Sequence, residues 1–143
     1  MEMNLLICIP WRLSAACLAA VLLLTGCAGG IDQTALTARL AGVENRPALV
    51  DVRTTSEYRA GHLPGAVNLP VHALPFNLDL VPVSERNETV VVYCAHVPRA
   101  GLAGFFLRMG GFSQVLHLHG DFNSWQRAGL PVVNGVEPGI WTE

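Results

Sequence analysis

The chain has 143 residues, of which 51% are hydrophobic and 14% are charged, and its formal net charge is −2. This length is sufficient for one domain with a hydrophobic core and leaves little room for a second domain. The high apolar fraction and the low charge exclude a disordered chain. The basic residues are all arginines and form no run, which argues against a surface for nucleic acid.

Residues 1–26 have the pattern of an export signal. Arg12 precedes an uncharged apolar stretch over residues 13–25, which is shorter than the ~20 residues of a membrane-spanning helix but typical of a secretory leader. Residues 24–27 (LTGC) resemble the lipobox of bacterial lipoproteins, in which the cysteine is lipidated and becomes the first residue of the mature chain. The alternative is an apolar leader that ends in cysteine by coincidence.

The lipobox resemblance implies a location. It implies a lipid on Cys27, a short linker over residues 27–31 and attachment of the protein to a membrane of the bacterial cell envelope. Ala28 follows the cysteine where an aspartate would imply retention at the inner membrane, so we expect the outer membrane, with the domain facing the periplasm. Cys94 would then be the one free thiol of the mature chain. Such a thiol is either buried and inert or used for chemistry.

Strand and helix signals alternate along the rest of the chain. Short apolar runs between turn residues predict strands, over residues 48–52, 66–69, 89–93 and 115–118. Capping residues and apolar spacing predict helices, over residues 32–40, 55–60, 100–109 and 122–128. This order predicts an α/β fold with a small, mainly parallel sheet flanked by helices. We expect the domain to cover residues 32–134, with a tail over residues 135–143.

Cys94 is the strongest candidate for chemistry. It directly follows the predicted strand over residues 89–93, and ligands of open parallel sheets bind outside the carboxyl ends of the strands. A helix that begins near Arg99 would direct N–H groups and the positive end of its dipole toward the thiol, which favours bound anions and increases the thiolate fraction. Arg99 would add a positive charge. The alternative is a buried structural cysteine at the end of a strand.

Three stretches of the sequence resemble the rhodanese family of single-domain sulfurtransferases. Residues 49–70 carry LVDVR, EY and GHLPGAVNLP in the order and spacing of the family's first signature. Residues 91–94 (VVYC), followed by Arg99, match its active loop, and residues 110–125 carry its closing GGF, LHG and tryptophan. The resemblance therefore implies the rhodanese fold.

The resemblance, which covers residues 32–133, also implies roles for single residues. Cys94 would be the nucleophile, and Arg99 would close the active loop. Asp51 and Arg53 would brace the loop through hydrogen bonds. The substrate would be bound by the rest of the loop, namely Ala95, His96, Val97 and Ala100. The implied reaction requires no metal and no organic cofactor.

The sequence departs from the family's usual pattern at three positions of the active loop and at one position of the closing pair. Val97 replaces a flexible glycine, and Pro98 lacks an N–H group. Ala100 lacks a hydroxyl donor, and Asp121 takes the place of the second glycine of the closing pair. These changes predict fewer hydrogen-bond donors around a bound anion, with His96 as a partial substitute.

The implied function is sulfur transfer through a Cys94 persulfide, from thiosulfate or a persulfide donor to cyanide or a thiol acceptor. One alternative is a non-catalytic rhodanese-like module that binds a partner, carries a persulfide or acts as a sensor. Another is a phosphatase or arsenate reductase of the same fold. The spacing disfavours the latter, because those enzymes place the arginine six positions after the cysteine, whereas Arg99 is five positions after Cys94.

The remaining polar side chains have a structural interpretation. Glu57 and His62 are expected to organise a turn, and Trp125 to pack in the core. His117 and His119 alternate along a strand and could share a metal ion. No third ligand stands at a matching spacing, so we expect a satisfied or exposed pair and no metal site.

Overall fold

The computed structural model describes residues 29–42, 44–95 and 97–135. Within these ranges, five strands alternate with four helices. The strands are β1 (Gly29–Ile31), β2 (Ala48–Asp51), β3 (Ala66–Asn68), β4 (Thr89–Tyr93) and β5 (Gln114–Leu118). The helices are α1 (Gln33–Ala41), α2 (Thr55–Ala60), α3 (Val97–Met109) and α4 (Asp121–Arg127). Two short 3-10 turns, Leu74–Phe76 and Leu78–Leu80, lie between β3 and β4.

The strands form one sheet in the order β1-β5-β4-β2-β3, and every neighbouring pair is parallel. This confirms the predicted α/β class and the mainly parallel sheet. β4 is the central strand, with β5 on one side and β2 on the other. The carboxyl ends of all five strands therefore meet at one edge of the sheet, which is where parallel sheets place their ligand sites.

Helix termini follow from local side chains. Asp32 caps α1, because its carboxylate accepts a hydrogen bond from the Ala35 N–H at 2.7 Å. Thr54 and Glu57 form a reciprocal capping box at the start of α2, which Gly61 ends. These contacts fix the turn after β2, which approaches the active loop.

The sheet separates two halves of the core. On one face, side chains of α3 pack against alternate residues of β2 and β4, as Ala103 and Leu107 do with Val50 and Val92. On the other face, α1, α2 and α4 cover the sheet with the side chains of Leu36, Tyr58, Phe122 and Trp125. Trp125 is only 2% exposed, as predicted for a core residue.

The prediction of a linker over residues 27–31 is wrong for the last three of these residues. Gly29–Ile31 form the edge strand β1, in register with Leu116 to Leu118 of β5. The two glycines indicate a flexible linker in the sequence, but here the missing side chain of Gly30 leaves room for another residue. A Cβ atom on Gly30 would lie 1.7 Å from the ring of His119.

Several predictions fall on residues outside the described ranges. They are the signal peptide over residues 1–26, the lipid on Cys27, the role of His96 and the tail after residue 135. Among the helices that are described, none has the length and apolar character needed to cross a membrane.

Candidate active site

Cys94 lies between the central strand and the helix that follows it, as predicted. It follows β4 directly, and α3 begins at Val97, three residues later. The residue has no solvent-exposed surface. Its main chain is held on both sides by the start of α4. The Cys94 N–H donates to Asp121 Oδ1 at 2.8 Å, and its carbonyl accepts from the Phe122 N–H at 2.9 Å.

The N-terminus of α3 supplies main-chain donors close to the thiol. The first four N–H groups of a helix have no acceptor within the helix, and Pro98, the second residue of α3, contributes none. The N–H groups of Val97, Arg99 and Ala100 remain. Ala100 is 1% exposed and belongs to the core, so any contact it makes with a substrate would come from its main chain.

Arg99, in the first turn of α3, is held by Glu57 of α2. Its two terminal nitrogens donate to the two carboxylate oxygens of Glu57, each at 2.8 Å. The same carboxylate accepts from the N–H and the hydroxyl of Thr54. The sequence assigned Glu57 to the turn alone. The structure adds the ion pair, which links the turn after β2 to the active loop across 42 residues of sequence.

The ion pair changes the ionisation of both partners. Hydrogen bonding to Arg99 lowers the pKa of Glu57 to about 2, although partial burial opposes the shift. The same bonds raise the pKa of Arg99, and a negative charge on Cys94 in its thiolate form also favours the cation. Glu57 and Arg99 are therefore both charged at neutral pH, and Arg99 acts on the thiol through its charge.

Asp51 and Arg53, predicted to brace the loop, form a buried ion pair at the end of β2. The Asp51 carboxylate accepts several hydrogen bonds from the Arg53 guanidinium, which also donates to the Gly61 carbonyl at 2.7 Å. Burial lowers the pKa of Arg53, but the bonds to Asp51 outweigh it and the pKa is raised. The guanidinium carbon lies 3.8 Å from the ring centroid of Phe122. The ion pair therefore contacts Phe122, and the N–H of Phe122 donates to the Cys94 carbonyl.

Asp121 is a site residue whose contacts the sequence did not predict. It is 2% exposed, and its backbone has φ +55°, in the left-handed region. Besides the Cys94 N–H, its Oδ1 atom lies 2.9 Å from Nε2 of His117. The replacement of a family glycine was a visible signal in the sequence. However, nothing in the spacing shows that the carboxylate turns toward the cysteine.

An open cleft of about 580 Å³ lies beside the active loop. Ala95 forms its wall on the loop side, and residues of α4 form the other wall. The other residues that line the cleft are Gly120, Asp121, Asn123, Ser124, Gln126 and Arg127. Through the cleft, molecules from solvent can reach Ala95, the residue that follows Cys94.

His117 and His119 have different neighbours. His117 contacts Asp121, whereas the His119 ring covers Gly30 of β1. Among the described residues, no group of three or more histidine, cysteine, aspartate or glutamate side chains is arranged to hold a metal ion.

Comparison with known proteins identifies the family. Residues 32–128 match the family model described as "Rhodanese-like domain". The chain belongs to this family. A protein of Allochromatium vinosum named "Sulfurtransferase" is 38% identical to the chain over 103 residues, which are 72% of this chain and 92% of that protein.

Solved structures share the rhodanese-like fold. The human single-domain sulfurtransferase TSTD1 matches with a TM-score of 0.62 and 26% identity, over 70% of this chain and 96% of that one. A thiosulfate sulfurtransferase from Pseudomonas aeruginosa also matches with a TM-score of 0.62, at 27% identity. That match covers 76% of this chain but only 20% of the Pseudomonas chain.

Proposed function

We propose that the protein is a sulfurtransferase that carries a sulfane sulfur on Cys94. One observation carries the proposal: Cys94 ends the central strand, three residues before the start of α3, and Arg99 stands in the first turn of that helix. A helix N-terminus with an adjacent arginine stabilises anions. The proposal is supported by relatives named as sulfurtransferases, one of them for thiosulfate.

The reaction consists of two transfers of one sulfur atom. In the first, the Cys94 thiolate attacks the outer sulfur of thiosulfate, a Cys–S–S⁻ persulfide forms, and sulfite leaves with the electron pair of the broken S–S bond. In the second, a thiophilic acceptor such as cyanide attacks the outer persulfide sulfur. Thiocyanate forms and the Cys94 thiolate is released. No net oxidation occurs.

The residues around Cys94 serve this reaction through charge and hydrogen bonding. The N–H groups at the start of α3 and the Arg99 guanidinium would stabilise the donor's sulfonate and the persulfide anion. Glu57 holds the guanidinium with two bonds and so fixes its orientation. The other cysteines of the sequence lie in residues 1–28, outside the described ranges. With the leader removed and a lipid on Cys27, as proposed below, Cys94 is the one free thiol of the mature chain, and the acceptor is a separate molecule.

Thiocyanate formation from thiosulfate and cyanide tests the proposal. The purified protein should form thiocyanate, and Cys94→Ser should not. A Thr37→Ala variant, changed on an exposed face of α1, serves as the control for handling and folding. If Cys94→Ser and the wild type produce thiocyanate at the same rate, Cys94 is not the nucleophile.

A second candidate function is a rhodanese-like module that binds a partner without turnover. The observation in its favour is that Cys94 has no exposed surface, which hinders a donor from reaching it. A folded wild-type protein that acquires no extra sulfur from thiosulfate or from glutathione persulfide would favour this function over the enzyme.

We also propose that the protein is anchored in the bacterial envelope through a lipid on Cys27. β1 begins at Gly29, which is in register with Leu116 of β5 and through it with Val91 of β4, whereas Cys94 lies three residues further along the strand direction. Three strand residues span about 10 Å. The active loop would therefore face away from the membrane, toward soluble donors and acceptors. Labelling with a palmitate analogue that is absent from Cys27→Ser would support the anchor, and equal labelling of both would contradict it.

A further inference from the structure

Asp121 places a carboxylate against the residue that carries the nucleophile. Its Oδ1 atom accepts the Cys94 N–H at 2.8 Å. Because covalent geometry keeps Sγ within about 4 Å of the nitrogen of the same residue, that oxygen lies within about 7 Å of the sulfur. A negative charge at this distance disfavours a second negative charge on the sulfur.

Among the described residues, two cations near Cys94 are each paired with a carboxylate. The Arg99 cation on α3 is matched by Glu57 on α2, and the Arg53 cation is matched by Asp51 at the end of β2. Burial raises the pKa of Tyr93, the last residue of β4, so its phenol is neutral. Each of these two cations is therefore partly balanced by its own carboxylate, and Asp121 belongs to neither pair.

The partner of Asp121 is a histidine. Oδ1 lies 2.9 Å from His117 Nε2, on β5, and both side chains are largely buried. The nearest other cation on α4 is Arg127, which lines the same cleft and donates to Ser124 Oγ at 2.8 Å. Nε2 of His117 is therefore placed to donate a hydrogen bond to the carboxylate.

From this arrangement we infer that Asp121 is a positioning residue that holds the Cys94 main chain and opposes ionisation of its thiol, with His117 orienting the carboxylate. The backbone supports a specific role for the side chain. At φ +55° an aspartate is less favourable than a glycine, so the acid occupies a position where a glycine would relieve strain. The carboxylate thereby opposes the thiolate form that the N-terminus of α3 and Arg99 favour.

The test is the rate of alkylation of Cys94 by iodoacetamide as a function of pH, followed by mass spectrometry of the peptide that contains it. Two variants remove the charge in different ways. Asp121→Asn keeps an oxygen that can accept the Cys94 N–H, whereas Asp121→Gly removes the side chain and the strained φ. Asp79→Asn, which removes an exposed carboxylate paired with Arg86, is the matched control.

We expect both Asp121 variants to lower the pH of half-maximal alkylation by about one unit, so that alkylation at pH 7 becomes up to about tenfold faster. The control should keep the wild-type profile. An unchanged profile in both Asp121 variants would overturn the inference. A shift in Asp121→Gly alone would also overturn it, because the side chain would then act only as a hydrogen-bond acceptor.

This inference deepens the proposed function, since it concerns the same nucleophile, but the two can fail separately. Alkylation reports on the thiol whether or not sulfur is transferred. A shifted alkylation profile without thiocyanate formation would keep the role of Asp121 and remove the sulfurtransferase. Circular dichroism and thermal melting of each variant verify that the fold is retained.

Discussion

The Glu57–Arg99 ion pair makes a quantitative prediction for Glu57→Gln. The substitution keeps the size of the side chain but removes the charge that binds both terminal nitrogens of Arg99. A pKa lowered from 4.5 to about 2 would correspond to about 3 kcal/mol in the free energy of unfolding if the pair were unscreened. Because the two side chains are 33% and 35% exposed, solvent screening reduces this to about 1 kcal/mol. The melting temperature should fall by about 4 °C at pH 7.

The effect of pH on this variant has a definite sign. The pKa of Glu57 is lower in the folded state than in the unfolded state, so its stabilisation is complete above pH 4.5 and is lost as the pH falls toward 2. The difference in the free energy of unfolding between wild type and Glu57→Gln should therefore be less than half as large at pH 3 as at pH 7. Denaturant unfolding at pH 7 and pH 3 measures this difference. The control is Asp79→Asn, which removes the exposed ion pair with Arg86. Equal stability at pH 7, or a difference that is the same at both pH values, would refute this reasoning.

Three further predictions concern the same region. Asp51→Asn leaves the Arg53 guanidinium buried without its charge partner, so denaturant unfolding should show a loss of about 3 kcal/mol; a loss below 1 kcal/mol contradicts the buried pair. Arg99→Lys keeps the charge but loses the bidentate contact with Glu57, so kcat/KM for thiosulfate in steady-state kinetics should be about tenfold lower. Unchanged kinetics would contradict a role of Arg99 in binding the donor. Because Cys94 has no exposed surface, a bulky aromatic disulfide should be slowed more than iodoacetamide is, each relative to its own rate with free glutathione. Equal slowing of the two reagents would show an accessible thiol.

The fold was largely predictable because its signals are local. The apolar runs at β2 and β4 and the capping box at Thr54 and Glu57 each act within a few residues of sequence. The edge strand β1 was not predictable in this way. It pairs with Leu116 to Leu118 of β5, which are distant in sequence, and a pair of glycines otherwise indicates a linker.

The active site was predictable in its main features but not in its electrostatics. The positions of Cys94 and Arg99 follow from the order of strand, loop and helix. The partner of Arg99 does not, because Glu57 is 42 residues away in sequence and is already used as a capping residue. Asp121 was visible as an unusual residue, yet its contact with the Cys94 N–H depends on how α4 meets the end of β4.

The central claim is that Cys94 carries a sulfane sulfur. The most direct measurement is the mass of the Cys94 peptide after incubation of the purified protein with thiosulfate, blocking of thiols and digestion. We predict an added mass of about 32 Da, one sulfur atom on the nucleophile, and treatment with cyanide before the thiols are blocked should remove it as thiocyanate. A wild-type Cys94 peptide that gains no sulfur in the folded protein, from thiosulfate or from glutathione persulfide, would contradict it.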